Sequence, residues 1–235
     1  MVKRHSNIGF AGGALVFPGG KIDDADKDSA WEHRASGLSD DPVIALAMIA
    51  AVRETFEEVG ILLARDEDGL IDEAKCQTLE HWRGPVEKNA DLFIRMIEEN
   101  NLTLACDQLV LFARWVAPPR VPNRFDTWFF IARSPTNQCA HEDGNEATEA
   151  IWITPQDATT ARDNGSRFII FPTARNVELL GVSGSVEEAI TAAGGRKIEP
   201  IIPKIEDGPD GKVLTIPKDL GYPITEESIE TAFKS

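Results

Sequence analysis

The segment from Asp41 to Gly60 constrains the fold most, because the sequence marks both ends of a helix there. Asp41 belongs to the residue types that accept hydrogen bonds from the first amides of a helix, and Pro42 fits the first helical position. Gly60 suits the left-handed residue that follows a helix. The sequence therefore predicts an uninterrupted helix across this segment.

Three glutamates near the end of this helix share one face. Glu54, Glu57 and Glu58 lie at positions i, i+3 and i+4, so their carboxylates repel one another unless a cation neutralises them. Hard divalent cations such as Mg²⁺ bind carboxylate oxygens and keep positions for water and substrate phosphate. A solvated acidic helix face is the alternative that this spacing alone leaves open.

A loop that is rich in glycine and acid, FPGGKIDDADKD from Phe17 to Asp28, precedes the helix. Gly19 and Gly20 have no side chain that would keep a substrate or a metal away from the backbone. The loop and the helix segment RETFEEVG together resemble the signature of the Nudix hydrolases. The matching residues are Gly20, Arg53, Glu54, Glu57, Glu58, Gly60 and Ile61.

The chain departs from that signature at three points. Asp26 stands where the signature has its first glutamate, and Thr55 replaces an aliphatic residue. Residues 27–52 form a gap of 26 positions where the signature has seven. Because extra loop length costs little closure entropy, we interpret the two flanks as halves of one metal site.

Longer stretches are similar to one subgroup, the peroxisomal coenzyme A diphosphatase type and its bacterial relatives. They include GFAGGALVFPGG (9–20), RFDTWFF (124–130) and PTARNVELL (172–180). Some relatives carry a coenzyme A signature, which this chain matches at Arg4 and Gly13. It departs from that signature at two positions, which His5 and Gly9 occupy.

The resemblance implies an α/β fold, the Nudix α/β/α sandwich with a mixed sheet, carrying a helical insertion and a C-terminal extension. It also implies hydrolysis of a nucleoside diphosphate linked to another moiety, in a coenzyme A-type or dinucleotide-type diphosphate. The expected cofactor is Mg²⁺ or Mn²⁺, and the expected partner is this small-molecule substrate.

The resemblance assigns roles to the helix residues. Glu57 and Glu58 are implied as metal ligands, and Glu54 as a third ligand or as the general base. Arg53 is expected to pair with a site glutamate and to fix its rotamer.

A further acidic residue is expected six residues before a strand tryptophan. Counting back from Trp152 gives Glu146 as a base or ligand, with Glu142 and Glu149 as rivals and simple loop acidity as the alternative.

Substrate binding is expected from Gly19, Gly20, Arg4 and Arg124. Arg124 has the geometry to clamp phosphate with two hydrogen bonds, but a structural ion pair with Asp126 is an equal alternative.

The net charge and the distribution of apolar residues argue against two classes of partner. The net charge of −15 repels nucleic acid phosphates, so no nucleic-acid partner is expected. No apolar run reaches the length of a membrane span, so no membrane partner is expected either.

Cys76, Cys106 and Cys139 form no CxxC pair and predict reduced thiols. A cytoplasmic location follows as the expectation.

Two regions are predicted along the chain. Residues 1–154 are expected to form the Nudix domain, with insertions at about 27–41 and 66–105, the second helical and broken at Gly84-Pro85. Residues 155–235 are expected to form a helical and extended extension packed on it. Predicted strands lie at 109–117, 125–133 and 147–154, and predicted helices at 155–163, 173–181 and 185–193.

The strand that usually precedes the first one here is missing from the sequence. Met1 is therefore expected in or just before a strand at a sheet edge or paired with a neighbouring protomer, which leaves a homodimer open.

Two other functions compete with hydrolysis. A non-catalytic Nudix-like nucleotide-binding module would usually lose helix glutamates, and none is lost here. An isomerase on the same scaffold, such as isopentenyl diphosphate isomerase, needs a paired Cys and Glu. Cys76 and Cys106 fall in the predicted insertion, and Cys139 falls in a loop.

Overall fold

The computed structural model describes residues 1–7, 11–118 and 125–232. Short 3₁₀ turns lie at Asp24–Lys27, Glu80–Trp82 and Cys106–Gln108. In the described part of the chain, the α-helices are α1 (Trp31–Arg34), α2 (Pro42–Val59), α3 (Glu73–Leu79), α4 (Arg83–Lys88), α5 (Asp91–Glu99), α6 (Pro155–Asp163), α7 (Phe171–Leu180), α8 (Val186–Gly194) and α9 (Ile229–Ala232).

Most of the strands are short. Within the same ranges they are β1 (Val2–Arg4), β2 (Leu15–Val16), β3 (Ala35–Ser36), β4 (Ala64–Asp66), β5 (Gly69–Leu70), β6 (Thr103–Ala105), β7 (Val110–Val116), β8 (Asp126–Ile131), β9 (Ala147–Ala150), β10 (Pro200–Ile201), β11 (Lys204–Gly208), β12 (Gly211–Thr215) and β13 (Glu226–Ser228).

The chain divides into two compact units. The first comprises Met1–Ile8, Phe17–Leu109 and Ala132–Ile151, and the second comprises Gly9–Val16, Val110–Ile131 and Trp152–Ser235. The division expected at residue 154 stays a prediction.

In the first unit, β1 pairs antiparallel with β9, and the backbones of Met1 and Ile151 extend this pairing through two hydrogen bonds. Met1 thus lies just before a strand, as expected. The expected place at a sheet edge is wrong, because β1 is the middle strand of its three-stranded sheet, and pairing with a neighbouring protomer stays a prediction. A second sheet has the order β3-β6-β4-β5, in which β3 runs parallel to β6 and β4 runs antiparallel to it. Both expected insertions contribute strands to this sheet.

The helices of the second insertion pack on the helix that carries the glutamates. Phe56 of α2 and Phe93 of α5 are fully buried, with ring centroids 6.3 Å apart. Trp31 of α1 lies 5.5 Å from Phe93 and donates its indole N–H to the carbonyl of Ala25. Burial of these rings fixes α2 against its neighbours.

Within 66–105 the structure differs in two ways from the expected helical insertion. A β4–β5 hairpin begins the segment, and the helical run is first interrupted at the 3₁₀ turn Glu80–Trp82, before Gly84-Pro85. Pro85 lies in the first turn of α4, where a missing N–H leaves no helical hydrogen bond unmade.

The second unit contains the longer strands. β8 pairs antiparallel with β7, β10 pairs parallel with it, and β11, β12 and β13 form an antiparallel meander. Trp115 lies at the centre of its core, with edge contacts to Phe171 and Tyr222. The strands expected at 109–117, 125–133 and 147–154 and the three helices expected after them are all present, with ends shifted by up to four residues.

Mixed pairing in both units gives the α/β class that the sequence predicts. In the ranges that the structure describes, no helix is long and apolar enough to cross a membrane.

Candidate functional site

The helix α2 begins and ends as its sequence predicts. The Asp41 carboxylate accepts hydrogen bonds from the amides of Val43 and Ile44, and Pro42 occupies the first turn. Gly60 ends the helix with a φ of 72°, a left-handed conformation that favours glycine. Because Phe56 and other apolar residues of α2 are buried, the helix presents its glutamates at a fixed position in the first unit.

The side chain of Arg53 is the hub of the site. Its Nε and Nη2 donate to the two carboxylate oxygens of Asp26 at 2.8 and 3.0 Å. Its Nη1 donates to Glu54 Oε1 at 3.0 Å and to Glu57 Oε1 at 2.9 Å, and Nη2 also donates to the Lys21 carbonyl. All five guanidinium N–H groups are therefore used, which fixes three carboxylates and the loop backbone at once.

The glycine-rich loop closes against the same helix face. The Gly19 amide donates to Glu58 Oε2 at 3.0 Å. A Cβ atom on Gly20 would lie 2.2 Å from Glu54 Oε2, so a side chain there would displace that carboxylate. Asp23 and Asp26 form a reciprocal capping box around the 3₁₀ turn, and Asp26 is 1% exposed. The loop and the helix thus form one site, as the sequence analysis expects.

Glu57 and Glu58 are buried and Glu54 is partly buried, and burial disfavours the charged form of a carboxyl group. Burial raises the pKa of Glu54 to about 7, with Arg53 opposing this and the charges of Glu57 and Glu146 adding to it. Burial likewise raises the pKa of Glu58 to about 8, with the Gly19 amide opposing and Glu54 and Glu146 adding. Burial also raises the pKa of Glu57. One buried arginine therefore leaves these glutamates short of positive charge.

The donor set fits a hard divalent cation. Arg53 or the Gly19 amide holds one oxygen of each helix glutamate, and the second oxygen of each accepts no hydrogen bond from a described residue. Among residues 1–7, 11–118 and 125–232, no three His, Cys, Asp or Glu side chains are already arranged to enclose an ion. Metal binding would therefore require the glutamates to turn toward a shared ion, which their excess negative charge favours.

Arg4 and Glu146 lie near the glutamates. The Glu146 carbonyl accepts a hydrogen bond from the His5 amide at 2.8 Å, while its side chain is exposed. The charge of Arg4 partly opposes the rise that burial causes in the pKa of Glu58, and the buried Arg4 Nε has no hydrogen-bond partner in the described part of the chain. The structure brings both expected residues to the site, and their roles stay predictions.

Arg124 lies outside the described residues. Its expected alternative partner, Asp126, forms a two-bond ion pair with Arg114, at 2.9 and 2.6 Å. The expected phosphate-binding role of Arg124 stays a prediction.

Two residues of this region have roles that were not predicted from the sequence. Asp26 is a departure from the signature, yet its carboxylate is the main partner of Arg53. Arg83, which belongs to no predicted motif, is 6% exposed and contacts the end of α2. Asp26 had a detectable signal, since an aspartate can pair with arginine where a glutamate is usual, but Arg83 carried none.

Two of the three cysteines lack the features of a catalytic thiol, and the third, Cys139, is exposed in a loop. Cys76 and Cys106 are buried, and burial raises their pKa to about 11 and about 12. Such thiols stay protonated near neutral pH and are poor nucleophiles. This disfavours the isomerase alternative.

Comparison with known proteins identifies relatives of the chain. The acyl-coenzyme A diphosphatase NUDT19 of Xenopus laevis is 28% identical over 273 residues, covering 95% of this chain and 70% of that protein. The human protein of the same name is 25% identical, with coverages of 94% and 71%. The crystal structure of a NUDIX hydrolase from Alicyclobacillus acidocaldarius matches with a TM-score of 0.66 and 28% identity, covering 81% of this chain and 86% of that one.

These matches confirm the expected Nudix fold class. The family model described as the NUDT19 Nudix domain matches residues 32–179, more than half of the chain and including Arg53 and the three helix glutamates. The chain therefore belongs to the NUDT19 Nudix domain family.

Proposed function

We propose that this protein hydrolyses a coenzyme A-type diphosphate, with a dinucleotide-type diphosphate as the second candidate, and that it needs Mg²⁺ or Mn²⁺. One observation carries the proposal: Glu54, Glu57 and Glu58 lie on one helix face against the glycine loop with one arginine among them, and Glu57 and Glu58 are buried while Glu54 is partly buried. The relatives named acyl-coenzyme A diphosphatase favour the coenzyme A type. The expected enzyme class, a Nudix-type diphosphatase, is confirmed by the family.

Glu57 and Glu58 are the proposed ligands of the cation, with Glu54 as a third. When bound, the cation would supply positive charge that neutralises the diphosphate and the departing phosphate. Arg53 holds Glu54 and Glu57 in place and keeps their free oxygens directed away from itself. Because burial excludes water from the site, each of these electrostatic interactions is stronger than it would be at an exposed surface.

Two residues are candidates for the general base. Glu54 has a pKa of about 7, raised by burial, which suits proton transfer near neutral pH. Glu146 lies in the loop before β9 and is exposed. Changing each residue to Gln distinguishes the roles. A variant that loses turnover but keeps its Mn²⁺ affinity identifies the base, whereas a variant that loses both turnover and Mn²⁺ affinity identifies a ligand.

Arg4 is the proposed contact to the substrate diphosphate in the described residues. Its Nε has no hydrogen-bond partner there, and its charge acts on Glu58. Gly19 and Gly20 leave the loop backbone open to the phosphate groups, with Gly19 at a φ of 148°. Arg124 is proposed as a second phosphate contact.

The non-catalytic binding module is less well supported. A protein that only binds nucleotides has no need for three glutamates crowded on one helix face, where burial and neighbouring acids raise the pKa of Glu54 and Glu58. The cytoplasmic location and the homodimer stay predictions.

The test is a panel of diphosphates incubated with Mg²⁺ or Mn²⁺, with the products identified by mass. The panel contains coenzyme A, an acyl-coenzyme A, ADP-ribose, a dinucleoside diphosphate and, as a control, capped RNA. We expect cleavage of the diphosphate bond of the coenzyme A compounds only when metal is added. Tight binding without cleavage would favour the binding module, and cleavage of capped RNA alone would contradict the substrate class.

A further inference from the structure

Arg83 connects the inserted helix α4 to the end of α2. Its Nε and Nη2 donate to the Glu57 carbonyl at 3.2 and 3.1 Å, and Nη2 also donates to the His141 carbonyl at 3.0 Å. Its Nη1 pairs with Glu80 at 2.7 Å. The last carbonyls of a helix lack partners within the helix, so a buried arginine there both satisfies them and offsets their negative charge.

The loop at residues 139–146 is held to the same place by further contacts. The His141 amide donates to the Val59 carbonyl at 3.0 Å, so the loop backbone is joined to α2 directly as well as through Arg83. Farther along the loop, Asn145 Nδ2 donates to the Glu87 carboxylate of α4 at 3.2 Å. Helix α4 therefore holds the loop at two points, near its start and near its end.

Glu146 is the next residue after the second of these points. Its own backbone is held by His5, but its side chain is exposed and has no ion pair among the described residues. The position of its carboxylate relative to Glu54 and Glu58 therefore depends on how the loop is held. Gly60 fits this arrangement, because a Cβ there would lie 3.1 Å from Arg83 Nη1.

We propose that Arg83 is a positioning residue for the hydrolysis: by tying the loop at residues 139–146 to the end of α2, it sets Glu146 relative to the helix glutamates. The inserted helix α4 thereby contributes to the geometry of the site, because it carries Arg83. This inference rests on the proposed function, because it assigns Glu146 a part in that reaction.

The variants separate positioning from simple stability. Arg83→Met removes the hydrogen bonds, and Arg83→Lys keeps the charge and one donor position. Glu80→Gln is the matched control, because it removes the exposed partner of Arg83 and leaves the carbonyl contacts intact. Asn145→Ala loosens the second anchor at an exposed position and therefore does not threaten folding.

The first readout is a double-mutant cycle with Glu146→Gln, measured as kcat for the best diphosphate. We expect Arg83→Met to lower kcat on the order of 10-fold to 100-fold in the wild-type background, with partial rescue by Lys and no change for Glu80→Gln. In the Glu146→Gln background, the same change should cost less than about threefold. An equal loss in both backgrounds would overturn the proposal.

The second readout is amide hydrogen exchange of the metal-free proteins, which needs no activity. Exchange should become faster at residues 139–146 in Arg83→Met and, to a smaller extent, in Asn145→Ala, while the middle of α2 keeps its protection. Unchanged exchange in the loop would overturn the anchoring.

The two readouts keep the proposals apart. If the wild-type protein cleaves no diphosphate, the proposed function fails, and the exchange data still decide whether Arg83 anchors the loop.

Discussion

Each unit buries a cluster of charged side chains, and the two clusters differ in balance. In the second unit, two arginines face two glutamates: Arg162, Arg175, Glu178 and Glu227. In the first unit, one arginine faces four acids: Asp26, Arg53, Glu54, Glu57 and Glu58. A balanced buried network can be satisfied within the protein, whereas an unbalanced one needs a charge from outside.

The comparison distinguishes structural from functional buried charge. The cluster of the second unit connects α6, α7 and β13, so its loss should affect folding. The cluster of the first unit carries an excess of negative charge, and the pKa values of Glu54 and Glu58 are raised chiefly by burial and further by neighbouring acids. Removing one of these glutamates should affect catalysis and not stability.

The largest expected effect is on turnover. Glu58→Gln, and likewise Glu57→Gln, should lower kcat by a factor on the order of 10² or more, because each removes a ligand charge. The free energy of unfolding of the metal-free protein should not fall, since an uncompensated buried charge is lost. Kinetics with saturating Mg²⁺ and urea unfolding without it measure the two effects. Full Mg²⁺-dependent activity in either variant would make the site assignment wrong.

The opposite result is expected in the second unit. Glu227→Gln leaves Arg162 and Arg175 with one acid, so unfolding should become easier by about 3 kcal/mol. The kcat of the folded fraction should stay within about twofold of the wild-type value, because Glu227 is none of the residues assigned to the reaction and independent sites have additive effects. Urea titration followed by an activity assay at low temperature tests this. A large loss of kcat with unchanged stability would contradict a purely structural role for the cluster of the second unit.

A smaller effect is expected on the pH dependence of stability. The pKa values of Glu54 and Glu58 in the folded protein, about 7 and about 8, lie above their ordinary value of 4.5, chiefly through burial. Between pH 4.5 and 8 the folded state thus keeps protons that the unfolded state releases. The free energy of unfolding of the metal-free protein should therefore decrease as pH rises from 6 to 8, by roughly 1 kcal/mol per pH unit.

Two controls sharpen this pH prediction. The double variant Glu54→Gln/Glu58→Gln should flatten the slope, and saturating Mg²⁺ should weaken it because the charged forms are then stabilised. Urea unfolding at pH 6, 7 and 8 measures all three cases. A wild-type protein that becomes more stable between pH 6 and pH 8 without metal would contradict the assignment.

Local signals made much of the fold predictable. Asp41, Pro42 and Gly60 mark the ends of α2 by the chemistry of single residues, and the structure confirms all three. Strand composition likewise placed β7 and β8. The β4–β5 hairpin was missed, because its strands have three and two residues and are too short to show a pattern.

Contacts between distant residues set the limit of prediction at the site. The spacing of the glutamates could be read directly, but the pairing of Arg53 with Asp26 crosses 27 positions and the contact of Arg83 with Glu57 crosses 26. Such pairings depend on how the chain folds back on itself. A lone arginine in a helical insertion carries no local sign of its partner.

The central claim is that the helix glutamates hold a divalent cation. The most direct measurement is titration of the purified protein with Mn²⁺, followed by electron paramagnetic resonance of the free ion, for the wild type, Glu58→Gln and Glu227→Gln. The account predicts saturable binding to the wild type and to Glu227→Gln, and affinity at least about 10-fold weaker for Glu58→Gln. Equal Mn²⁺ affinity in all three proteins would contradict it.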